Sequence, residues 1–305
     1  MGSTGASVDI GTCLVTGGAG FIGSHLVRAL LQRCDRVRVL DDLSTGLQAN
    51  INNQERIVFV KGKIQDPEIC LECCQDVDVV FHLAGLGSVA KSFADPVATL
   101  ENNAVGSARL FSAAIACGAR RVVYASSSSV YGDAPGIVRV EGIEGRPLSP
   151  YAISKRSVEW LAESFATVGR TKWVGLRFFN VYGARQRADL PQAAIIPRLL
   201  TAATLHRVVP VFGRGTQVRD YTHVKDAVTA CMLAATEPIE VSSLVCNVGT
   251  GRGVSVNQLV HLVTEQLGHV SSHSSGAEPP EHLTKAHRKG ACRKSHGAET
   301  ISFDS

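Results

Sequence analysis

The tightest constraint on this chain lies near its start. A short apolar run, Thr12-Cys13-Leu14-Val15-Thr16, gives way to Gly17-Gly18-Ala19-Gly20-Phe21-Ile22-Gly23. Helical periodicity then continues through Ile22, Leu26, Ala29 and Leu30. A buried strand, a glycine-rich turn and an amphipathic helix in that order open a βα unit. Strand patterns recur at 36–40, 57–61, 77–83, 121–126 and 173–178. Helical stretches lie between them, opened by Asp66-Pro67, by Pro96 (running to Cys117) and by Pro150 (running to about Gly169). Strands alternating with helices predict an α/β fold, a doubly wound parallel sheet with helices on both faces.

After Asn180 the pattern loosens. Helices are expected near 195–203, 224–235 and 256–267, and short strands near 208–212 and 244–247. This reads as a smaller C-terminal lobe laid over the carboxyl edge of the sheet, where such folds bind ligands. The domain reading is 10–180 for the sheet domain, 181–268 for the lobe and 269–305 for an atypical tail. Five of the ten histidines fall in that tail, with many Ser, Lys and Arg, so loose order is expected there.

Composition excludes several classes. With 45% hydrophobic and 19% charged residues the chain is an ordinary globular one. A net charge of +4 is too small to argue for a nucleic-acid partner. There is no apolar run long enough to span a membrane and no signal-peptide core at the N-terminus. The nine cysteines are odd in number and scattered. Cys13, Cys117, Cys231 and Cys246 sit in apolar segments as buried thiols would. Cys70, Cys73 and Cys74 cluster, but no second pair completes a metal site, so no metal is expected. A reduced cytoplasmic location fits this usage best.

Gly18-x-Gly20-x-x-Gly23 stands where a dinucleotide fingerprint belongs, its glycines allowing a pyrophosphate close to the backbone at a helix N-terminus. Such a pattern is also compatible with a plain tight turn. Asp41 follows at the end of the second strand, close to the spacing of about 20 residues that places a carboxylate on a ribose 2′-hydroxyl. That favours NAD over NADP. Two adjacent acids capping a loop, Asp41 and Asp42, is the alternative.

Ser149-Pro150-Tyr151-Ala152-Ile153-Ser154-Lys155 opens a helix, with Ser149 as N-cap and Pro150 at the first position. Tyr151 and Lys155 share a face at i, i+4. A nearby ammonium lowers a phenol's pKa, so the pair could take a proton from an alcohol near neutral pH. Solvated Tyr/Lys pairs at this spacing also occur by chance. Ala125-Ser126-Ser127-Ser128-Ser129 follows the fifth strand and offers a hydroxyl near the crevice, although serine runs are often plain loops.

Taken in order, the glycine turn, Asp41, the serine loop and Tyr151/Lys155 resemble the extended short-chain dehydrogenase/reductase family over roughly residues 10 to 268, and most closely its nucleotide-sugar 4-epimerases. The resemblance implies a Rossmann-type sheet, NAD as cofactor, a UDP-sugar substrate and a homodimer. It implies Ser127 as the triad hydroxyl, Tyr151 as base, and Lys155 as the residue that binds the nicotinamide ribose and depresses the tyrosine pKa. It implies cofactor contacts from Gly17, Gly20, Phe21, Ile22 and Gly23; from Asp41, Asp42, Leu43, Ser44, Thr45 and Gly46; and from Lys63, Ile64, Leu83, Ala84, Gly85, Asn102, Ala125 and Phe178, besides Tyr151 and Lys155. Substrate contacts are implied for Gly87, Ser88, Ser127, Ser128, Ser129, Tyr151, Asn180, Ile195, Val211 and Arg219. For Arg219 a salt bridge to Asp220 or Asp226 is the alternative. Related dehydratases carry an Asp-Glu pair after the triad hydroxyl, and related decarboxylases usually a Glu before Val-Tyr-Gly. Ser128 and Ser129 stand there instead, which favours epimerisation of UDP-glucose/galactose or of the N-acetylhexosamine pair.

The chain departs from that pattern twice. Gly62-Lys63-Ile64 carries lysine where relatives often place an adenine-contacting acid, implying weaker cofactor binding. The nucleotide clamp expected after Glu278-Pro279-Pro280 does not continue, which leaves open a different nucleotide-sugar reaction or a non-catalytic NAD-binding protein.

Overall fold

A computed structural model describes residues 10–51, 55–190, 193–211, 214–267 and 272–274. The chain begins β1 (Thr12–Thr16), α1 (Phe21–Leu30), β2 (Arg36–Asp41), β3 (Ile57–Lys61), α2 (Pro67–Cys74), β4 (Val79–His82), α3 (Val89–Ala94) and α4 (Pro96–Leu100). A π-helical turn (Glu101–Val105) leads into α5 (Gly106–Ala116), β5 (Arg121–Ser127), α6 (Pro150–Phe165), β6 (Lys172–Phe178) and β7 (Asn180–Tyr182). Then come α7 (Ile195–Leu205), β8 (Val209–Val211), β9 (Val218–His223), α8 (Val224–Thr236), β10 (Ser243–Val248), β11 (Gly253–Ser255), α9 (Val256–Leu267) and β12 (Ser272–Ser274).

Seven strands form one parallel sheet in the order β3-β2-β1-β4-β5-β6-β10. The order reverses between β1 and β4, and the crevice above that point is where such sheets hold ligands. Side chains alternate across the sheet as the pleat requires. Cys13, Val15, Val123 and Val174 face the layer containing α1 and α8. Leu14, Val122, Tyr124 and Trp173 face the layer of α2, α5 and α6. Cys70, Cys73 and Cys74 are fully buried in that second layer, and burial raises their thiol pKa values. Cys117 and Cys246 are only partly buried.

The expected lobe boundary needs correction at one segment. β10 pairs with β6 in the main sheet, and the small apolar face of α8 (Ala227, Ala230, Cys231, Ala234) packs into the layer with α1. Residues 224–248 thus return to the sheet domain, because their apolar face finds its partner there. The smaller unit comprises β7, β9 and β11 in one sheet, β8 and β12 in another, and α7 and α9 around a core that includes Leu199, Ala203, Val209 and Leu259. Apart from β12, which pairs with β8, the tail and its clamp lie outside the described residues.

The helical stretch from Pro96 is continuous but not uniform. Gly106 N–H bonds back five residues to Glu101 O, a π turn in which Asn102 lines the crevice and Asn103 is buried behind it. Such turns are rare and frequently sit at functional sites.

Candidate active site

The glycine turn is built by close approach. Gly17 has φ +69°, and a Cβ there would lie 2.7 Å from Ala84 N. Gly20 is the N-cap of α1 and supplies no side-chain cap, the first turn carries no acid, and Gly20, Phe21, Ile22 and Gly23 line the crevice. Asp41 closes β2 beside them. Its Oδ2 accepts from Ala19 N at 3.0 Å and its Oδ1 from Leu43 N at 2.8 Å. Burial pushes the Asp41 carboxyl up, and these bonds pull it back. Asp42 organises the next turn, accepting from Ser44 N at 2.9 Å.

A cleft of about 440 Å³ runs from this turn over β4 to the ends of β5 and β6. Gly17, Gly20, Phe21, Ile22, Gly23, Asp41, Asp42, Ser44, Thr45, Lys63, Ile64, Leu83, Ala84, Gly85, Asn102, Ala125 and Phe178 all line it, as do Gly87, Ser127, Tyr151, Lys155 and Asn180. Leu43 and Gly46 do not. Leu43 takes φ +60° to bond Asp41, and Gly46 packs where a Cβ would lie 2.9 Å from Ala19 C, so both support the wall from behind. Ser88 is likewise outside the lining. It caps α3, its hydroxyl accepting from Lys91 N at 3.2 Å.

At the catalytic end, Ser149 caps α6 as expected, accepting from Ala152 N at 3.1 Å. Tyr151 and Lys155 both face the cleft. Lys155 Nζ donates to Ala125 O at 3.0 Å, and burial lowers its pKa to about 8. The sequence expectation assigns the lowering of the phenol pKa to Lys155. In the structure burial dominates and raises the Tyr151 phenol, and the opposing pull is a hydrogen bond with Ser127. Ser127 Oγ accepts from Ser129 N at 3.2 Å and Ser129 Oγ at 2.7 Å, which leaves its own proton to donate toward the phenol oxygen. Ser128 and Ser129 are buried and line neither cleft, so Ser129 orients Ser127 rather than meeting a ligand.

A buried polar chain backs this end. His82 bonds Thr16 Oγ1 and Ser107 Oγ, each at 2.8 Å. Burial, then the Lys155 charge, lowers its pKa to about 3, so it is neutral. Ser107 donates to Asn103 O. Asn103 accepts from Leu86 N at 2.7 Å and donates to Ser154 Oγ at 2.9 Å, tying the β4 loop to α6.

A second cleft of about 260 Å³ opens beyond Asn180 and holds the predicted Ile195, Val211 and Arg219. Asn180, Val181 and Gln186 line both clefts and join them. Arg219 forms no ion pair with a carboxylate among the described residues, so the salt-bridge alternative does not hold there. Sequence reasoning missed Gln65, Leu86 and Val89 in the first cleft, and Arg198, Gln217 and Tyr221 in the second. Gln217 and Tyr221 flank Arg219 in one stretch, and Gln65 and Leu86 directly follow the Gly62-Lys63-Ile64 and His82-Leu83-Ala84-Gly85 segments, so nearness to a marked residue was their signal; Val89 and Arg198 are brought to the wall by packing.

Residues 13–249 match the NAD dependent epimerase/dehydratase family. The chain belongs to that family. This epimerase/dehydratase-family protein is 33% identical to a UDP-glucose 4-epimerase of Streptomyces lividans, over 85% of this chain and 82% of that one. It is 34% identical to a UDP-N-acetyl-alpha-D-glucosaminuronate decarboxylase of Bacillus cytotoxicus, over 85% and 81%. Among solved structures it resembles the UDP-glucose 4-epimerase of Thermotoga maritima with UDP-glucose, at TM-score 0.84 and 34% identity, covering 92% of this chain and 89% of that one. The family's cofactor is NAD, and the cleft fits it. The uncapped α1 N-terminus suits a pyrophosphate. Asn102 Oδ1 and Gln65 Oε1, buried in the lining without partners, are acceptors for a ligand's donors.

Proposed function

We propose that this protein is a 4-epimerase of a UDP-sugar, acting on UDP-glucose/galactose or on the UDP-N-acetylhexosamine pair. One observation carries the reading. Among the described residues, the carboxylates lining the first cleft are Asp41 and Asp42, at the β2 end, and none of the lining carboxylates stands beside Tyr151. Proton chemistry at that end therefore rests on a phenol, a serine and a lysine. That set suffices to oxidise and re-reduce one carbinol, and it lacks the extra acid or base that elimination requires.

NAD, when bound, supplies the hydride acceptor and later donor at C4 of the sugar. Tyr151 takes the 4-hydroxyl proton and returns it, and Ser127 holds the phenol oxygen and the sugar oxygen in one hydrogen-bonded set. Lys155 adds positive charge on the same helix face. Reversal of configuration follows when the 4-keto sugar turns over between removal and return. Asn180 at the junction of the clefts and Arg219 in the second are proposed to hold the diphosphate, a contact that suits a guanidinium.

Two further parts belong to this proposal. A homodimer is supported by exposed apolar side chains on neighbouring helices, Val97 on α4 and Ile153 and Trp160 on α6. A cytoplasmic location is supported by the eight described cysteines, among which no disulfide forms.

The deciding experiment incubates the purified protein with UDP-glucose, UDP-GlcNAc and UDP-glucuronate and analyses the sugars released by hydrolysis. Galacto-configured products support the proposal. Release of CO₂ from the uronate replaces it with decarboxylation, the reaction that the Bacillus cytotoxicus relative's name gives for a different uronate, UDP-N-acetyl-alpha-D-glucosaminuronate.

A further inference from the structure

Three successive residues of β5 meet three residues spaced one turn apart on α6. Ala125 O accepts from Lys155, and Ser127 bonds Tyr151. Ser126 Oγ donates to Glu159 Oε1 at 2.5 Å. Glu159 follows Lys155 at i+4 on the same helical face but lies behind the cleft wall, only 3% exposed.

Its charge is met from two sides. Arg177 donates to both carboxylate oxygens, through Nε at 2.8 Å and Nη2 at 2.9 Å, and Arg156 Nη1 adds a bond at 2.6 Å. Arg177 is the register partner of Ser126 across the β5–β6 pair and directly precedes Phe178, Phe179 and Asn180, which line the cleft. Its Nη1 reaches Glu144, in the loop leading to the Ser149 cap, and its guanidinium lies 4.9 Å from the Tyr131 ring centroid. Burial works against the Arg177 charge, but the Glu159 bonds outweigh it and hold the guanidinium protonated. One carboxylate thus joins the β5 end, the β6 end and the helix carrying the phenol. A buried ion pair contributes little net stability over an apolar substitute, so its use lies in geometry.

We propose that Glu159 is a positioning residue. Through Ser126 and Arg177 it sets the register of α6 on β5 and β6, and so holds Tyr151 against Ser127, without itself touching cofactor or substrate. The proposal rests on the Tyr151 chemistry given above.

Two variants test it. Ser126→Ala removes one hydroxyl and leaves the ion pairs whole. Glu159→Gln keeps the shape and removes the charge. Each is measured for NAD content and for kcat and KM with the UDP-sugar that wild type converts. A displacement on the order of 1 Å at a reacting group costs about 10²-fold in rate, so kcat is expected to fall about 10- to 100-fold in both. KM and NAD content stay near wild type, and Ser126→Thr, which keeps the hydroxyl, recovers most of the loss. Wild-type kcat in the variants, or a loss confined to KM, overturns the proposal. If Glu159→Gln does not fold, Ser126→Ala decides alone. If wild type converts no UDP-sugar, the epimerase reading falls, and amide hydrogen exchange decides the positioning role separately. Lost protection at 150–156 in Ser126→Ala with unchanged protection at 121–124 supports it, and wild-type protection at 150–156 overturns it.

Discussion

A phenol buried without a compensating charge is a weaker acid than one in water, and Tyr151 shows that direction. The group opposing burial is Ser127, at the C-terminal end of β5, whose hydroxyl is itself oriented by Ser129. Tyr151→Phe is expected to lower UDP-sugar interconversion by about 10²- to 10⁴-fold while NAD stays bound, read by kinetics and by absorbance of the purified protein. Lys155 yields a prediction independent of substrate. Its pKa falls from 10.5 to about 8 on folding. Between those values the unfolded chain carries a proton that the folded chain has released, so stability rises with pH across that window. Thermal melts of nucleotide-stripped protein from pH 8 to 10 should show that rise, and Lys155→Met should remove its share.

At the scale of elements, the site depends on a turn with no spare space. A Cβ at Gly23 would stand 2.1 Å from Gly17 O and 2.7 Å from Gly18 Cα. Gly23→Ala is expected to destabilise the fold by about 1–3 kcal/mol, measured by urea titration, and to release NAD. Gly87 lines the same cleft, but a Cβ there meets nothing within 4 Å. Gly87→Ala should leave stability within about 0.5 kcal/mol of wild type in the same titration. The π turn belongs to this scale too. It aims Asn102 into the cleft and lets Asn103 tie the β4 loop to α6.

For the whole molecule, two clefts meet at Asn180, where the sheet domain passes its chain to the smaller unit. That junction suits a long ligand whose reacting end lies at Tyr151. The exposed face of α4 and α6 lies on the outside of the same helices. Val97 is 63% exposed and Trp160 54%, apolar side chains on neighbouring helices that a second copy of the chain would cover. Light scattering is expected to give twice the chain mass, and Val97→Asp with Trp160→Asp to give a monomer that retains NAD.

Much of this was legible in the order of residues. Ser149 and Pro150 start α6, Asp66 and Pro67 start α2, and glycine spacing ends β1, because caps and turns are decided by hydrogen bonds and sterics within a few residues. The same short range puts Tyr151 and Lys155 on one face and Asp41 at a strand end. What needed the tertiary structure were pairings across long separations. β10 joins the sheet beside β6 rather than staying in the smaller unit, because its neighbours' apolar face is buried only there. Glu159 meets Ser126 and Arg177, and Ser127 rather than Lys155 pulls on the phenol, because strand register and helix docking place them together. No local pattern encodes such contacts. They follow from burying both faces of one sheet at once.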